Sequence, residues 1–153
     1  EHQLTEVNLL RFHIPVLIYG KIPPSLQGRR LDTVISQVDV IPTLSGLMGE
    51  PVTAGCWGRD VFATRPDDAG QAVIKPSGGE QVVAYVQGDR LVTLDESGGG
   101  HLYEYDLAEP AVQRLEQPEV MAYMVNRLLS YVQTGINYLN QKPVIPGKQE
   151  SAD

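Results

Sequence analysis

Residues 14–19 read Ile-Pro-Val-Leu-Ile-Tyr, apolar at every position with no polar alternation. Such a run is expected of a strand covered on both faces in a parallel sheet, where each side chain meets apolar cover whichever way it points. It stops at Gly20, and Lys21–Arg30, with Pro23, Pro24 and Gly28 among polar residues, reads as a loop with Arg29 and Arg30 in solvent. Val34–Val38 is the one further candidate for a strand beside it. A strand of this kind needs parallel neighbours on each side, so most of its sheet is expected from outside this chain.

Downstream, Asp39 stands before Val40-Ile41-Pro42-Thr43-Leu44-Ser45-Gly46-Leu47-Met48-Gly49. A helix is expected here. Asp39 is its N-cap, with a carboxylate accepting from the first-turn amides. Pro42 falls where a missing N–H breaks no intrahelical bond. Val40, Leu44 and Leu47 share one face, and Gly49 closes the helix in the left-handed conformation.

From Gly49 to Gly79 the chain is rich in Gly, Pro and Asp, with Trp57 and Val61-Phe62 as apolar anchors of a long surface connection. Short strands follow at Gln71–Lys75, Gln81–Gln87, Arg90–Asp95 and His101–Leu107. Gln87-Gly88-Asp89-Arg90 is a two-residue hairpin signal, and Ser97-Gly98-Gly99-Gly100 makes a looser turn. A four-stranded antiparallel meander is the expected result. From Pro118 to Asn140, apolar residues recur at three- and four-residue intervals, the pattern of one helical face, with Pro118 in the first turn. Pro143 and Pro146 stop the helix, and 141–153 reads as a flexible tail.

The 153 residues, 42% hydrophobic and 20% charged, suffice for one core, since a chain of this size buries roughly 70% of its unfolded surface. A formal charge of −7 disfavours nucleic acid and anionic lipid as partners. The single cysteine, Cys56, allows no internal disulfide, and no Cys/His cluster has zinc spacing.

Catalytic side chains are sparse. Of the three histidines, His13 lies at the mouth of the apolar strand, His101 borders a glycine turn, and His2 stands alone near the start. The carboxylate pairs Asp67-Asp68 and Asp95-Glu96 sit at loops or strand ends and read as solvated turn residues. Cys56 has no histidine close in sequence to generate a thiolate, and no Gly-x-Ser-x-Gly elbow occurs.

Arg11-Phe12-His13-Ile14-Pro15-Val16-Leu17-Ile18-Tyr19, then Ser36-Gln37-Val38-Asp39-Val40-Ile41-Pro42-Thr43-Leu44, then Gly58-Arg59-Asp60-Val61-Phe62 resembles the C-terminal third of sulfatase-type enzymes of the alkaline phosphatase superfamily. Within it the chain looks most similar to the lipoteichoic-acid-synthase-like phosphoglycerol transferases of bacterial envelopes. Tyr85-Val86-Gln87-Gly88-Asp89, Tyr103-Glu104-Tyr105-Asp106-Leu107 and the closing helix fall in the order that family implies, so the likeness spans nearly the whole chain. It is specific for the superfamily branch and weak for substrate.

The resemblance implies an α/β fold: the C-terminal part of an alkaline-phosphatase-like α/β sandwich, with a small antiparallel four-stranded sheet and a C-terminal amphipathic helix. On this reading residues 1–62 complete the α/β core, 63–140 form the small subdomain with its closing helix, and 141–153 are the tail. The family uses a Thr, Ser or modified Cys nucleophile and a divalent metal (Mn, Mg, Ca or Zn) held by Asp, Glu and an Asp-His pair. In family order these groups precede the His-Ile-Pro strand, so they are expected upstream of Glu1, with no catalytic residue or metal ligand in this chain. Thr43 and Cys56 do not match the nucleophile position, and His2 and His13 are the only candidates for substrate contact.

The implied parent is a membrane-anchored enzyme on the periplasmic or extracytoplasmic face of the bacterial cytoplasmic membrane, anchored by upstream helices. Its phosphoglycerol, phosphoethanolamine or sulfate ester is left open. The expected partners of this chain are the N-terminal catalytic part of the same protein and, for the fragment alone, self-association by strand edges. The alternative is a stand-alone, non-catalytic binding or assembly module.

Overall fold

The computed structural model describes residues 7, 9–49, 57–76, 82–108 and 111–141. Five strands, β1 (Ala72–Ile74), β2 (Val83–Gln87), β3 (Arg90–Leu94), β4 (Gly100–Asp106) and β5 (Ala111–Leu115), form one antiparallel sheet in sequence order. Helix α1 (Val40–Met48) precedes them and α2 (Pro118–Asn140) follows. Mixed helix and sheet is therefore the class. Each expected strand of the meander is present, its ends shifted by a residue or two.

Turn chemistry sets the registers. Gln87 pairs with Arg90 across the Gly88–Asp89 turn, and Tyr105 donates its phenolic hydrogen to the Gly88 carbonyl from the second strand over. The β3–β4 turn is tied by Asp95, whose carboxylate accepts from the Ser97 hydroxyl at 2.6 Å and from the Ser97 and Gly99 amides at 2.9 and 2.8 Å. The Ser97 hydroxyl is the largest cause holding this exposed carboxyl below its usual range.

Alternation along the strands then builds two apolar faces. Val73, Tyr85, Val92, Leu102 and Leu115 are register partners in one row across all five strands. This face packs against Met124 and Leu128 of α2, with Val120, Met121, Val125 and Val132 at the margin. The opposite face carries Ala84, Val86, Leu91, Tyr103 and Val112 and is covered by Val7 and Leu9 from the N-terminal segment. A sheet covered on both sides needs apolar residues at odd and even positions alike, and β2 supplies them in Ala84-Tyr85-Val86.

The C-terminal half of α2 takes a different partner. Trp57 meets Tyr131 and Tyr138 edge to face, at ring-centroid distances of 5.3 and 5.9 Å. Between those tyrosines stands Gly135, where a Cβ would lie 2.6 Å from the indole Cη2. The glycine opens the helix surface so that the indole ring can lie against it.

Four expectations need correction. Ile14–Tyr19, read as a strand, forms none: it pairs with no described strand, and Leu17 and Tyr19 are 90% and 97% exposed. Of its side chains only Ile18 is half-buried, and the parallel sheet, and with it the α/β sandwich, is not formed there among the described residues. Val34–Val38 is not a strand either: Val34 makes one parallel bridge to Gly70, and Gln37–Asp39 is a 3-10 turn.

The sheet has five strands, not four, because Ala111–Leu115 pairs with β4. As an edge strand it buries only Val112 and leaves Gln113 and Arg114 in solvent, so its alternation is faint in sequence. Finally, α1 keeps its left-handed stop at Gly49, φ 72°, but its buried residue is Thr43 while Leu44, expected inside, is exposed. The tail 142–153 lies outside the described residues.

Trp57 is the only tryptophan, so its emission reports on the helix contact. Gly135→Ala is expected to shift that emission to the red and to forfeit the roughly 1 kcal/mol that alanine ordinarily adds inside a helix. Unchanged emission together with a full stability gain would contradict the packing.

Candidate functional site

The motif residues Ser36–Leu44 and Gly58–Phe62 meet around one buried carboxylate. Asp39, 3% exposed, accepts from the Ser36 amide at 2.9 Å and from the Arg59 amide at 2.8 Å. The Arg59 guanidinium lies beside it, Nη2 at 3.5 Å. Asp39 holds the N-cap position of α1 that the sequence suggests, but its side chain caps no first-turn amide of that helix. It is the last residue of the Gln37–Asp39 turn in helical conformation (φ −78°, ψ −16°). A helical side chain leans toward its own N-terminus, so the carboxylate reaches back to Ser36 and sideways to Arg59 instead of forward into α1.

Arg59 extends the cluster. Its Nη1 donates to both oxygens of Asp68, at 3.2 and 3.0 Å, and Asp68 also accepts from the Gly70 amide at 2.8 Å. Asp68 is therefore engaged, against the expectation of a solvated turn. Asp67 does face solvent, paired with Arg65. Thr43 closes the other side: its hydroxyl donates to the Arg59 carbonyl at 3.3 Å and accepts from the Val61 amide at 3.1 Å. The two segments approach closely because residue 58 is glycine; a Cβ there would lie 1.8 Å from the Val38 carbonyl oxygen.

Chemically this is a joint. A general base must be free to take a proton and a cation site must offer unshared oxygens. The Asp39 and Asp68 carboxylates instead share the Arg59 guanidinium, the positive charge already between them. Among the described residues no group of three or more His, Cys, Asp or Glu side chains is placed to hold a metal ion.

The other candidates stand apart from this cluster. His13 is exposed just beyond the Leu9–Arg11 turn, its amide bonded to the Leu10 carbonyl at 3.4 Å. His101 is exposed on β4, edge-on to Tyr103. Asp95 ties its turn, and Glu96 is exposed in it. His2 and Cys56 lie outside the described residues.

Two features escaped the sequence reading. Gln71 Oε1 accepts from the Tyr85 hydroxyl at 2.7 Å and from Arg127 Nη2 at 3.1 Å, tying β1, β2 and α2 through one amide. Nothing in the spacing of residues 71, 85 and 127 announces it. Second, a cleft of about 360 Å³ opens where the β2–β3 hairpin meets the start of α2, lined by Gln87, Arg90, Glu119, Val120, Tyr123 and Met124. Comparison of the chain with protein-family models, curated proteins and solved structures finds no match.

Removing the joint's partners tests it. Thr43→Val keeps the shape but strands the Val61 amide and the Arg59 carbonyl, at an expected cost of about 1–3 kcal/mol in urea unfolding. Gly58→Ala is expected to cost at least as much, because backbone must move to admit the methyl. Two near-neutral results would mean that the segments do not meet as described.

Alkaline pH offers a separate check. Burial raises the Tyr131 hydroxyl above its usual value, and the Asp39 charge adds to this. Burial also raises Tyr105, with Asp89 second. Both groups hold their protons longer when folded, so stability is intact below pH ~10, the unfolded phenol value, and falls as pH rises through the folded values. Thermal melts from pH 9 to 11 should show this fall, and Tyr131→Phe should lessen it; an identical slope in the variant would contradict the assignment.

Proposed function

We propose that this chain is the C-terminal part of a sulfatase-type, metal-dependent hydrolase or transferase of phosphate or sulfate esters, of the phosphoglycerol-transferase kind, in the bacterial envelope. It is not catalytically complete alone. The observation that carries the reading is Ile14–Tyr19: apolar, largely exposed and without a strand partner among the described residues. An arm of this kind leaves ladder hydrogen bonds unmade and apolar area in water, and both are recovered if the segment enters a parallel sheet supplied by the catalytic part. Helix α1 points the same way, with Ile41 and Met48 exposed and a threonine inside.

On this reading the chain's residues perform no bond-breaking step. The Asp39–Arg59–Asp68 joint and Thr43 hold α1 and the following loop in a fixed relation to the sheet-and-helix unit, so the arm and the exposed face of α1 can dock together. The nucleophile, the metal and its ligands belong to the catalytic part.

Amide hydrogen exchange at residues 14–19 tests the arm. In the isolated chain these amides should exchange at near-unprotected rates, and in a protein extended upstream through its natural coding sequence they should slow by at least a hundredfold. The isolated chain should also show no turnover of bis(p-nitrophenyl) phosphate with Mn²⁺ or Mg²⁺. Protection in the isolated chain, or metal-dependent turnover by it, would contradict the proposal.

A further inference from the structure

Helix α2 carries a second pattern, on the side that does not face the sheet. While Met124 and Leu128 are buried against the strands, Ala122, Asn126, Leu129, Gln133, Ile136 and Asn140 are all exposed. They recur at alternating steps of four and three, a seven-residue repeat with an aliphatic side chain at each first position and a carboxamide at each second. Leu129 and Ile136 are each 49% exposed. From Val120 to Asn140 the helix holds one charged residue, Arg127, in a chain that is 20% charged. A solvated helix face ordinarily carries charges, and their depletion marks the centre of an interface.

The stripe fits a second copy of itself. A seven-residue repeat drifts about 20° per heptad on a straight helix, and two such stripes stay in register by winding around each other with a left-handed twist. In a parallel pair about a two-fold axis every layer meets its own kind: Leu129 meets Leu129, and Gln133 meets Gln133. Carboxamides both donate and accept, so each Asn or Gln layer can hydrogen-bond its copy, as carboxylates or ammonium groups cannot. An antiparallel pair would set Leu129 against Gln133 and lose this match. With a net charge of −7 on each copy, an uncharged contact stripe also avoids bringing like charges together at close range.

We propose that the exposed stripe Ala122–Asn140 of α2 is a parallel, two-fold docking surface for a second copy of this chain. It runs about 27 Å at 1.5 Å per residue, shorter than the three to four heptads of a lasting coiled coil, so the dimer is weak, with Kd on the order of 100 μM. This surface is separate from the Ile14–Tyr19 arm, and its fate does not depend on the enzymatic reading.

Sedimentation equilibrium from 10 μM to 1 mM should show a monomer–dimer equilibrium that Leu129→Glu with Ile136→Glu weakens at least tenfold and Leu17→Lys leaves unchanged, with circular dichroism confirming the fold of each variant. In a Cys56→Ser background, Gln133→Cys should cross-link to its copy on oxidation and Thr134→Cys, on another side of the helix, should not. A chain that stays monomeric to 1 mM would overturn the proposal. So would association abolished by Leu17→Lys but not by the double glutamate variant, or equal cross-linking at both cysteine positions.

Discussion

The N-terminal half of this structure depends on where the Asp39 charge goes. A carboxylate taken out of water costs several kcal/mol unless hydrogen bonds and an opposite charge replace its hydration. Two backbone amides and the Arg59 guanidinium do so here. The compensation propagates. Arg59 needs Asp68, Asp68 pins the Gly70 amide, and Gly70 bridges Val34 just ahead of β1. Its neighbour Gln71 holds Tyr85 and Arg127. One line of polar contacts thus runs from α1 to the sheet edge and on to α2, and Trp57 reinforces it with an aromatic contact to the same helix.

The two halves of the chain differ in how completely they bury themselves. The five-stranded sheet has apolar cover on both faces, from α2 on one side and from Val7 and Leu9 on the other. Helix α1 is held by polar contacts, and it and the arm leave Ile14, Leu17, Tyr19, Ile41 and Met48 in water. Such an exposed apolar set is characteristic of docking surfaces. The segments Arg11–Tyr19, Ser36–Leu44 and Gly58–Phe62 fall in this second half, and their engaged groups are structural: Asp39, Thr43 and Arg59 hold backbone to backbone.

What was legible in the sequence follows the range of the interaction that decides it. Helix α2 and the Gln87–Arg90 hairpin are local patterns, visible in the spacing of Met124 and Leu128 and in the Gly88-Asp89 pair; the hairpin stands as read and the helix in its span, though Leu129, Ile136 and Leu139, read on the same apolar face, are exposed. Strand β5 was not legible, because one buried valine in five residues is too faint an alternation. The importance of Asp39 was legible but its partner was not. A capping residue is found by looking a few positions ahead, whereas Arg59 lies twenty residues on and is brought in by a glycine at 58 that lets two backbones touch. Ile14–Tyr19 shows the converse: its apolar run is plain in the sequence, but no described strand pairs with it.

The central claim is that the motif residues form a load-sharing ion-pair joint and not a reaction centre. A double-mutant cycle between Asp39→Asn and Arg59→Met, followed by urea unfolding, measures it directly. The account predicts that each single change destabilises by about 2–4 kcal/mol and that the double variant loses far less than their sum, a coupling of at least about 1 kcal/mol. Additive losses, with no coupling, would mean that the two charges do not meet and that the buried carboxylate is held for some other purpose.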